Sequence, residues 1–453
     1  MNPVKKYLES SEILKILEAS EPDKKVNVIN WTLVEKEKNL LGFLGCYFSL
    51  KIEAQIDDID VVKYFFVKTA PCAESQAKFM EKNGIFRKEA KIYIEILSSM
   101  SSIVNGCKWT PKCYFARNDI LVMDDLSQEN YHVMPLLQNF TKAHVQAVLK
   151  SLAILHANSF YLEKCVHKKP LDQIYDDCLF EVSVAKFNKW FLVGLEAVKT
   201  IAIQRTKYSK HPEMVQLIKD NFNEQIVDKV FESCNNFPSK YAKVLCHRDT
   251  WRNNIMFKFN PHTDGEIDFS VPSGAALLDY QLMRYAPPAT DVIMTIYLLQ
   301  RIKEREMDYQ ENIQYYYDCL TEMLKNLGLN VSECLPYEEF VETCEYFKLC
   351  MLIIKTVSME MTHLPDEELA KLYADKDGYE YFCVGDRGDT CVHFIDTDEF
   401  FRDWMVEGVE ELLEKSIFSS KLFRFFHHYL WENDDSDYYL QEGYKALCFL
   451  VLI

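Results

Sequence analysis

Glycine and proline are scarce in this chain, 13 and 14 of 453 residues, and no Pro/Gly/Ser-rich linker, internal repeat or low-complexity run divides it. A chain of this length builds roughly two or three units around substantial cores, so without linkers they are expected as closely apposed lobes. Positive charge is also short. Lys and Arg total 51 against 69 Asp and Glu, a net −18 that lacks the basic footprint of a general nucleic-acid binder and disfavours docking on anionic membrane. Cysteine is plentiful at fifteen, but there is no C-x-x-C and no His/Cys cluster at zinc spacing. The scattered thiols are expected to be reduced and mostly buried, not a disulfide or metal framework. Long apolar runs are missing too. Charges interrupt the opening MNPVKKYLESSEILKIL, which reads as an amphipathic helix and not a signal peptide, and the closing ALCFLVLI is too short to span a bilayer. Together these absences point to a cytoplasmic globular protein with no membrane, nucleic-acid or obligate protein partner. In that setting the sequons at Asn30, Asn139 and Asn330 are chance matches.

What is present has two textures. Residues 26–126 read as strands around one helix. VNVINWTLVEK is a strand, and NLLGFLG is a turn with Gly42 and Gly45. CYFSLKIEA then sets Phe48, Leu50 and Ile52 on one face and Ser49, Lys51 and Glu53 on the other. VVKYFFVKT follows the acidic turn QIDDID as an aromatic, β-branched strand. A helix over 84–99 places Phe86, Ala90, Tyr93 and Leu97 on one stripe, and KCYFARND and ILVMDDL complete a small sheet. From about residue 140 the pattern turns helical, with a buried stripe in FTKAHVQAVLKSLAILHANSF. Short strands are expected at VLCHRD, NIMFKF and AALLDYQ, and helices over 290–326, 338–361 and 403–417. A ligand cleft belongs at the junction of the two parts, near 124–130.

The stretch 246–257, CHRDTWRNNIMF, is dense in polar side chains just ahead of an apolar run. Asp249 and Asn254 stand five apart, and Asp279 follows the apolar ALLDYQ segment. Phosphoryl transfer from ATP needs a carboxylate to take the acceptor hydroxyl's proton and oxygen ligands for magnesium, which this ordered set can supply. Lys68 ends an apolar strand where a buried ammonium needs an anionic partner, and Glu89 lies on the Phe86/Tyr93 helix stripe. A Lys–Glu pair that orients the α- and β-phosphates satisfies both. The glycines at 42 and 45 let backbone approach phosphate closely.

In this order the motifs GFLG, FFVKTAP, FRKEAKIY, LVMDDL, LHANS, LCHRDTWRNNIMF and LLDYQLMRYAPPATD resemble the ecdysteroid kinase-like (choline-kinase-like) family of arthropods, over about residues 40–295. The resemblance implies an α+β, bilobal protein-kinase-like fold. Its small antiparallel-sheet N-lobe with one helix would span 1–126, and its large, mostly helical C-lobe 127–453. It implies ATP and magnesium as cofactors and an acceptor that is a small hydroxylated molecule. Lys68 would contact the phosphates, held by Glu89, and the backbone at Met123, Asp124, Asp125 and Leu126 would read the adenine edge. Asp249 would be the base, Asn254 and Asp279 the magnesium ligands, and Asp291 a buttress of the catalytic loop. The chain departs from the family with Arg248 where Gly is usual and Tyr280 where Phe is usual.

Plainer readings compete at several positions. His247 fits a backbone-bonded scaffold better than a catalytic role. His156 fits packing beneath the loop, and Arg252 a solvated arginine better than a γ-phosphate contact. Trp251, Ile255, Met256 and Phe257 read as core, and Asn253 as a bystander. Asp279 and Asp291 are twelve apart, which leaves no room for the activation loop of a protein kinase, and 161–240 is expected to wall a pocket for a compact acceptor. The expectation is therefore a small-molecule kinase acting on an ecdysteroid-like steroid or a related hydroxylated xenobiotic. The alternatives are a choline or amino-alcohol kinase and a catalytically silent kinase-fold binding protein.

Overall fold

The computed structural model describes residues 7–36, 45–71, 74–101, 103–104, 106–260, 267–374 and 376–419. Gly42 and the apolar closing segment lie outside these residues. After an opening helix, α1 (Ser10–Ser20), come the strands β1 (Val26–Glu35), β2 (Cys46–Ile56) and β3 (Ile59–Thr69). Two helices, α2 (Glu74–Lys82) and α3 (Ile85–Lys91), precede a small hairpin of β4 (Ile103–Val104) and β5 (Cys107–Lys108), and β6 (Cys113–Arg117) and β7 (Ile120–Asp124) close the region. The main sheet is antiparallel in the order β1-β2-β3-β7-β6. Alternation along the strands decides which side chains meet which layer. Phe48, Leu50, Ile52, Phe65 and Val67 turn to one face, where α1 covers them with Ile13, Ile16 and Leu17. Lys68 therefore turns to the other face, toward α3. The helix expected over 84–99 is present but changes pitch. After α3 it passes through a π turn at Ile92–Ile96 and a 3-10 turn at Leu97–Ser99, and Phe86, Ala90, Tyr93 and Leu97 stay buried.

The second lobe is mostly helical. The short β8 (Tyr131–His132) leads into α4 (Lys142–Tyr161), whose Val145, Val148, Leu149, Leu152 and Leu155 are buried as the stripe predicts. The helices α5 (Lys189–Gln204), α6 (Pro212–Phe222) and α7 (Lys229–Asn235) follow. Four short strands then carry the polar loops: β9 (Val244–Cys246), β10 (Ile255–Lys258), β11 (Gly274–Leu277) and β12 (Arg284–Ala286). The helix predicted over 290–326 is two, α8 (Ala289–Leu299) and α9 (Ile302–Asn326), broken at Gln300 in extended conformation. The turn α10 (Val331–Cys334) and the long α11 (Tyr337–Thr362) come next, then α12 (Asp366–Ala374), α13 (Lys376–Val384), α14 (Gly388–Thr397) and α15 (Glu399–Lys415). Sequence periodicity had not separated α12 to α14.

The expectation of uniformly reduced cysteines needs one correction. Cys46 is disulfide-bonded, while the other twelve described cysteines are free and eight of those are buried. No described helix is long and apolar enough to cross a membrane.

Candidate active site

Two ladders bracket the CHRDTWRNN loop. β9 pairs with β12 (Cys246↔Arg284) and β10 with β11 (Ile255↔Leu277), so the loop and the segment after β11 leave their strands side by side. The Leu278 N–H donates to the Asn254 carbonyl at 2.9 Å and locks the two segments together. Asn254 Nδ2 donates to Asp249 twice, to Oδ2 at 2.7 Å and to the backbone oxygen at 3.1 Å, which commits the amide nitrogen to the aspartate and leaves the side-chain oxygen as a ligand atom. Burial, then the charge of nearby Asp279, pushes the Asp249 carboxyl up to about 8, although the Asn254 hydrogen bond and Lys68 oppose the rise.

Across from this loop Lys68 sits between two carboxylates. Its Nζ lies 2.7 Å from Glu89 Oε2 and 3.0 Å from Asp279 Oδ2. Burial alone would lower the ammonium's pKa, but Asp279 and Glu89 reverse that and hold it above its ordinary value. Burial pushes Glu89 up to about 7 against the pull of Lys68. Two acids around one base leave a cluster short of positive charge. Asp279 Oδ1, moreover, is buried with no hydrogen-bond partner. Asp279 also adopts a left-handed backbone (φ +63°), uncommon for a non-glycine residue and a mark of strain held by its surroundings. An orphaned carboxylate oxygen, an amide oxygen and a second carboxylate form an all-oxygen donor set suited to a hard divalent cation such as magnesium.

The floor of the loop is closed differently. Asp291, in the first turn of α8, accepts the His247 N–H at 2.6 Å and the Arg248 N–H at 2.7 Å, and His156 Nε2 lies 3.1 Å from the same carboxylate. Tyr316 holds the other side of that imidazole at 2.7 Å. The imidazole of His247 joins the two loops: Nδ1 accepts the Asp249 N–H at 3.2 Å, which fixes Nε2 as donor to the Leu278 carbonyl at 2.8 Å. Both of its nitrogens are thus spent on backbone groups.

The two departures from the family pattern have physical accounts. Arg248 has φ +69°, the region where glycine is at ease, so an arginine here carries backbone strain. Its guanidinium is buried and donates to Cys234 Sγ at 3.3 Å, with Glu181 Oε2 3.8 Å away. Tyr280 is fully buried and packs edge-on between Tyr93 of the π turn (centroids 5.4 Å apart) and His247 (4.7 Å). It thereby couples the Glu89 helix to the loop by ring contacts.

Glu181 had drawn no attention in the sequence. Its Oε1 accepts the Ser183 and Val184 N–H groups at 2.8 and 3.0 Å, and Oε2 accepts Arg284 Nη1 at 2.6 Å. Burial would raise its pKa, but Arg248 and Arg284 bring it down to about 2. One residue along, the Phe180 carbonyl accepts Lys88 Nζ from α3 at 2.7 Å, and Asp177 pairs with Lys91 at 2.5 Å. Residues 177–184 therefore dock on the helix of Glu89 and beside Arg248 of the 247–254 loop.

Of the remaining predicted positions, Gly45 is described and Gly42 is not. A Cβ at Gly45 would stand 3.2 Å from the Thr69 carbonyl and from the Tyr47 ring, a tight fit where the two strands meet. Met123 is buried at the end of β7. Asp124 accepts Tyr114 Oη and the Lys112 N–H, both at 2.8 Å. Asp125 pairs with Lys36 at 3.2 Å, and Leu126 opens a 3-10 turn. Beside the 247–254 loop opens a cavity whose lining includes Phe140, Trp251, Arg252, His363, Phe400 and Trp404. Trp251 and Arg252 are two and three residues past Asp249. Arg252 had been read as a solvated loop residue, yet it is half-buried and lines this cavity. No residue of 161–240 lines this cavity.

Comparison with known proteins places these residues in a wider frame. The model of the ecdysteroid kinase-like family matches residues 42–329, more than half the chain. No curated protein matches the sequence. Among solved structures, a choline kinase from Cryptosporidium parvum is similar with 11% identity and TM-score 0.39, over 87% of this chain and 99% of that one. A Plasmodium vivax ethanolamine kinase gives 11% and 0.36 over 93% and 87%, and a macrolide 2'-phosphotransferase from Brachybacterium faecium 11% and 0.34 over 83% and 96%. Scores this low leave the question of what the chain acts upon to its own residues.

Proposed function

The chain belongs to the ecdysteroid kinase-like family, and from that premise we propose that it is an ATP-dependent kinase that phosphorylates a hydroxyl of an ecdysteroid-like steroid or a related hydroxylated xenobiotic. The observation that carries this reading is the single cluster formed by residues far apart in sequence. Lys68 bridges Glu89 and Asp279 at 2.7 and 3.0 Å, and the Asp249–Asn254 pair is closed at 2.7 Å on the loop opposite. In this reading the lobes divide near residue 126, and the backbone at 123–126 faces the adenine. Lys68, already held by Glu89, meets the phosphate oxygens. Asn254 and Asp279 hold magnesium, which when bound neutralises charge on the phosphates. Asp249 accepts the acceptor's hydroxyl proton as the new O–P bond forms and the bond to the leaving ADP breaks. His247 and Asp291 keep the loop in shape without touching the reactants.

The test is incubation of the purified protein with Mg-ATP and a panel of ecdysteroids, plant phenolic glycosides and choline, followed by mass spectrometry for the gain of one phosphate. Asp249→Ala should lower kcat by about 10²- to 10⁴-fold, the usual weight of a general base, with ATP binding retained. If that variant turns over as fast as wild type, Asp249 is not the base. If no acceptor gains phosphate and Mg-ATP does not bind, the kinase reading falls.

A further inference from the structure

The strip of sheet between Lys68 and residues 123–126 is crossed by a side chain that comes from the far edge. Cross-strand partners share a face of an antiparallel sheet, so the pairs Tyr47↔Lys68 and Phe66↔Met123, with Phe66 two residues before Lys68, put all four side chains on one side. Lys36 stands just past β1. Its N–H donates to the Tyr47 carbonyl at 2.8 Å, which sets it in the row of Lys68, two strands away. From there the side chain runs diagonally back over the sheet. Its Nζ lies 5.1 Å from the Phe66 centroid and ends on Asp125, 3.3 Å from Oδ1 and 3.2 Å from Oδ2.

The two ends of this contact are not alike. The Asp125 side chain is 4% exposed, and its Oδ1 accepts the Ser127 N–H at 3.3 Å and the Ser127 hydroxyl at 2.6 Å, so the carboxylate is held whether or not Lys36 is there. Phe66 is steadied by the Tyr47 ring, with centroids 5.7 Å apart. Lys36 is the partner that can leave: its stem is flexible and its side chain is 27% exposed. An ammonium over a ring and a partly wet ion pair are each weak holds. Together they close the strip in a way that a ligand can undo.

We propose that Lys36 and Asp125 form a latch across the nucleotide site, closed while the site is empty, which a nucleotide must break to lie over Phe66 between Asp125 and Lys68. The inference rests on the kinase reading, which puts the nucleotide on this strip. A site that is competent only when unlatched shows its intrinsic affinity reduced by the open fraction, so removing the latch tightens binding. A lysine that served as a phosphate ligand would act with the opposite sign.

The test is calorimetric titration of Mg-ADP and, separately, of adenosine into the full chain, wild type against Lys36→Met. Both ligands should bind the variant about two- to fivefold more tightly and by the same factor, the scale of one partly exposed ion pair. Lys36→Arg can re-form the pair and should return both affinities toward wild type. Asp125→Asn keeps an oxygen for Ser127 and should give the same gain, and adding it to Lys36→Met should give nothing further, because a single latch opens only once. The proposal is overturned if Mg-ADP binding weakens in Lys36→Met while adenosine binding holds, which would make Lys36 a phosphate contact. It is overturned equally if neither ligand responds, or if the gains from the two variants add. Each of these results leaves the kinase reading standing. Binding of neither ligand to any of the proteins would sink the kinase reading and the latch with it.

Discussion

Two aspartates flank the same loop, and their surroundings differ at every point. Beneath it Asp291 sits in ordinary helical backbone, fully buried, and its carboxylate takes two loop N–H groups and an imidazole. Burial alone would raise its pKa, but the bond from His156 and the other partners hold it below the ordinary value. Above the loop Asp279 sits in left-handed backbone, shares one oxygen with Lys68, and has the other buried with nothing to bond. A carboxylate with every partner in place serves the fold, whereas a strained one with an orphaned oxygen is held ready for something that arrives later. By the same measure His247, with both nitrogens bonded to backbone, groups with Asp291, and Asp249, with its raised pKa, groups with Asp279.

That contrast can be broken by experiment. Asp279→Asn should lower the rate by roughly 10²–10³-fold or more through loss of charge at the metal site, with little change in Tm. Asp291→Asn should show the opposite pattern, losing roughly 2–4 kcal/mol in denaturant titrations because an amide keeps one acceptor oxygen and turns an NH2 donor toward a buried N–H that the carboxylate had satisfied. Equal stability losses for the two would erase the distinction. Glu181→Gln should cost about 2 kcal/mol, since Arg248 and Arg284 would lose their shared counter-charge, and should disturb kcat through the loop more than KM for ATP.

The acid side of the pH profile tests the raised carboxyl directly. A base must be ionised to act. The Asp249 pKa near 8, set by burial and then by Asp279, therefore predicts that kcat/KM rises with pH through an apparent pKa well above the ordinary carboxylate range. Removing the Asp279 charge should move that limb to lower pH. The smallest effect is expected at Arg248→Gly. Relief of the positive-φ strain offsets the lost contacts with Cys234 and Glu181, so stability should fall by less than about 1 kcal/mol and the rate should hold.

What could be read from the sequence was what the chain encodes locally. Alternation gave the buried face of β2, helical spacing gave the inward stripe of Glu89, and Asp249 and Asn254 come together because five residues of loop place them so. The order of the motifs then joined Lys68 to Asp279, although no periodicity could show that they touch. Contacts made only by tertiary packing stayed hidden. Glu181 meets Arg284 across 103 residues, and the cavity draws on segments near 140, 251, 363 and 404 with no pattern in common. Arg248 stood out as a departure, but its strain was invisible until the backbone angle was known.

The most direct test of the nucleotide site is calorimetric titration of ATP into the wild-type protein with and without magnesium, alongside Asp279→Asn. The account predicts magnesium-dependent binding in the wild type that the variant loses. Binding that ignores magnesium, or that survives unchanged in Asp279→Asn, would contradict it.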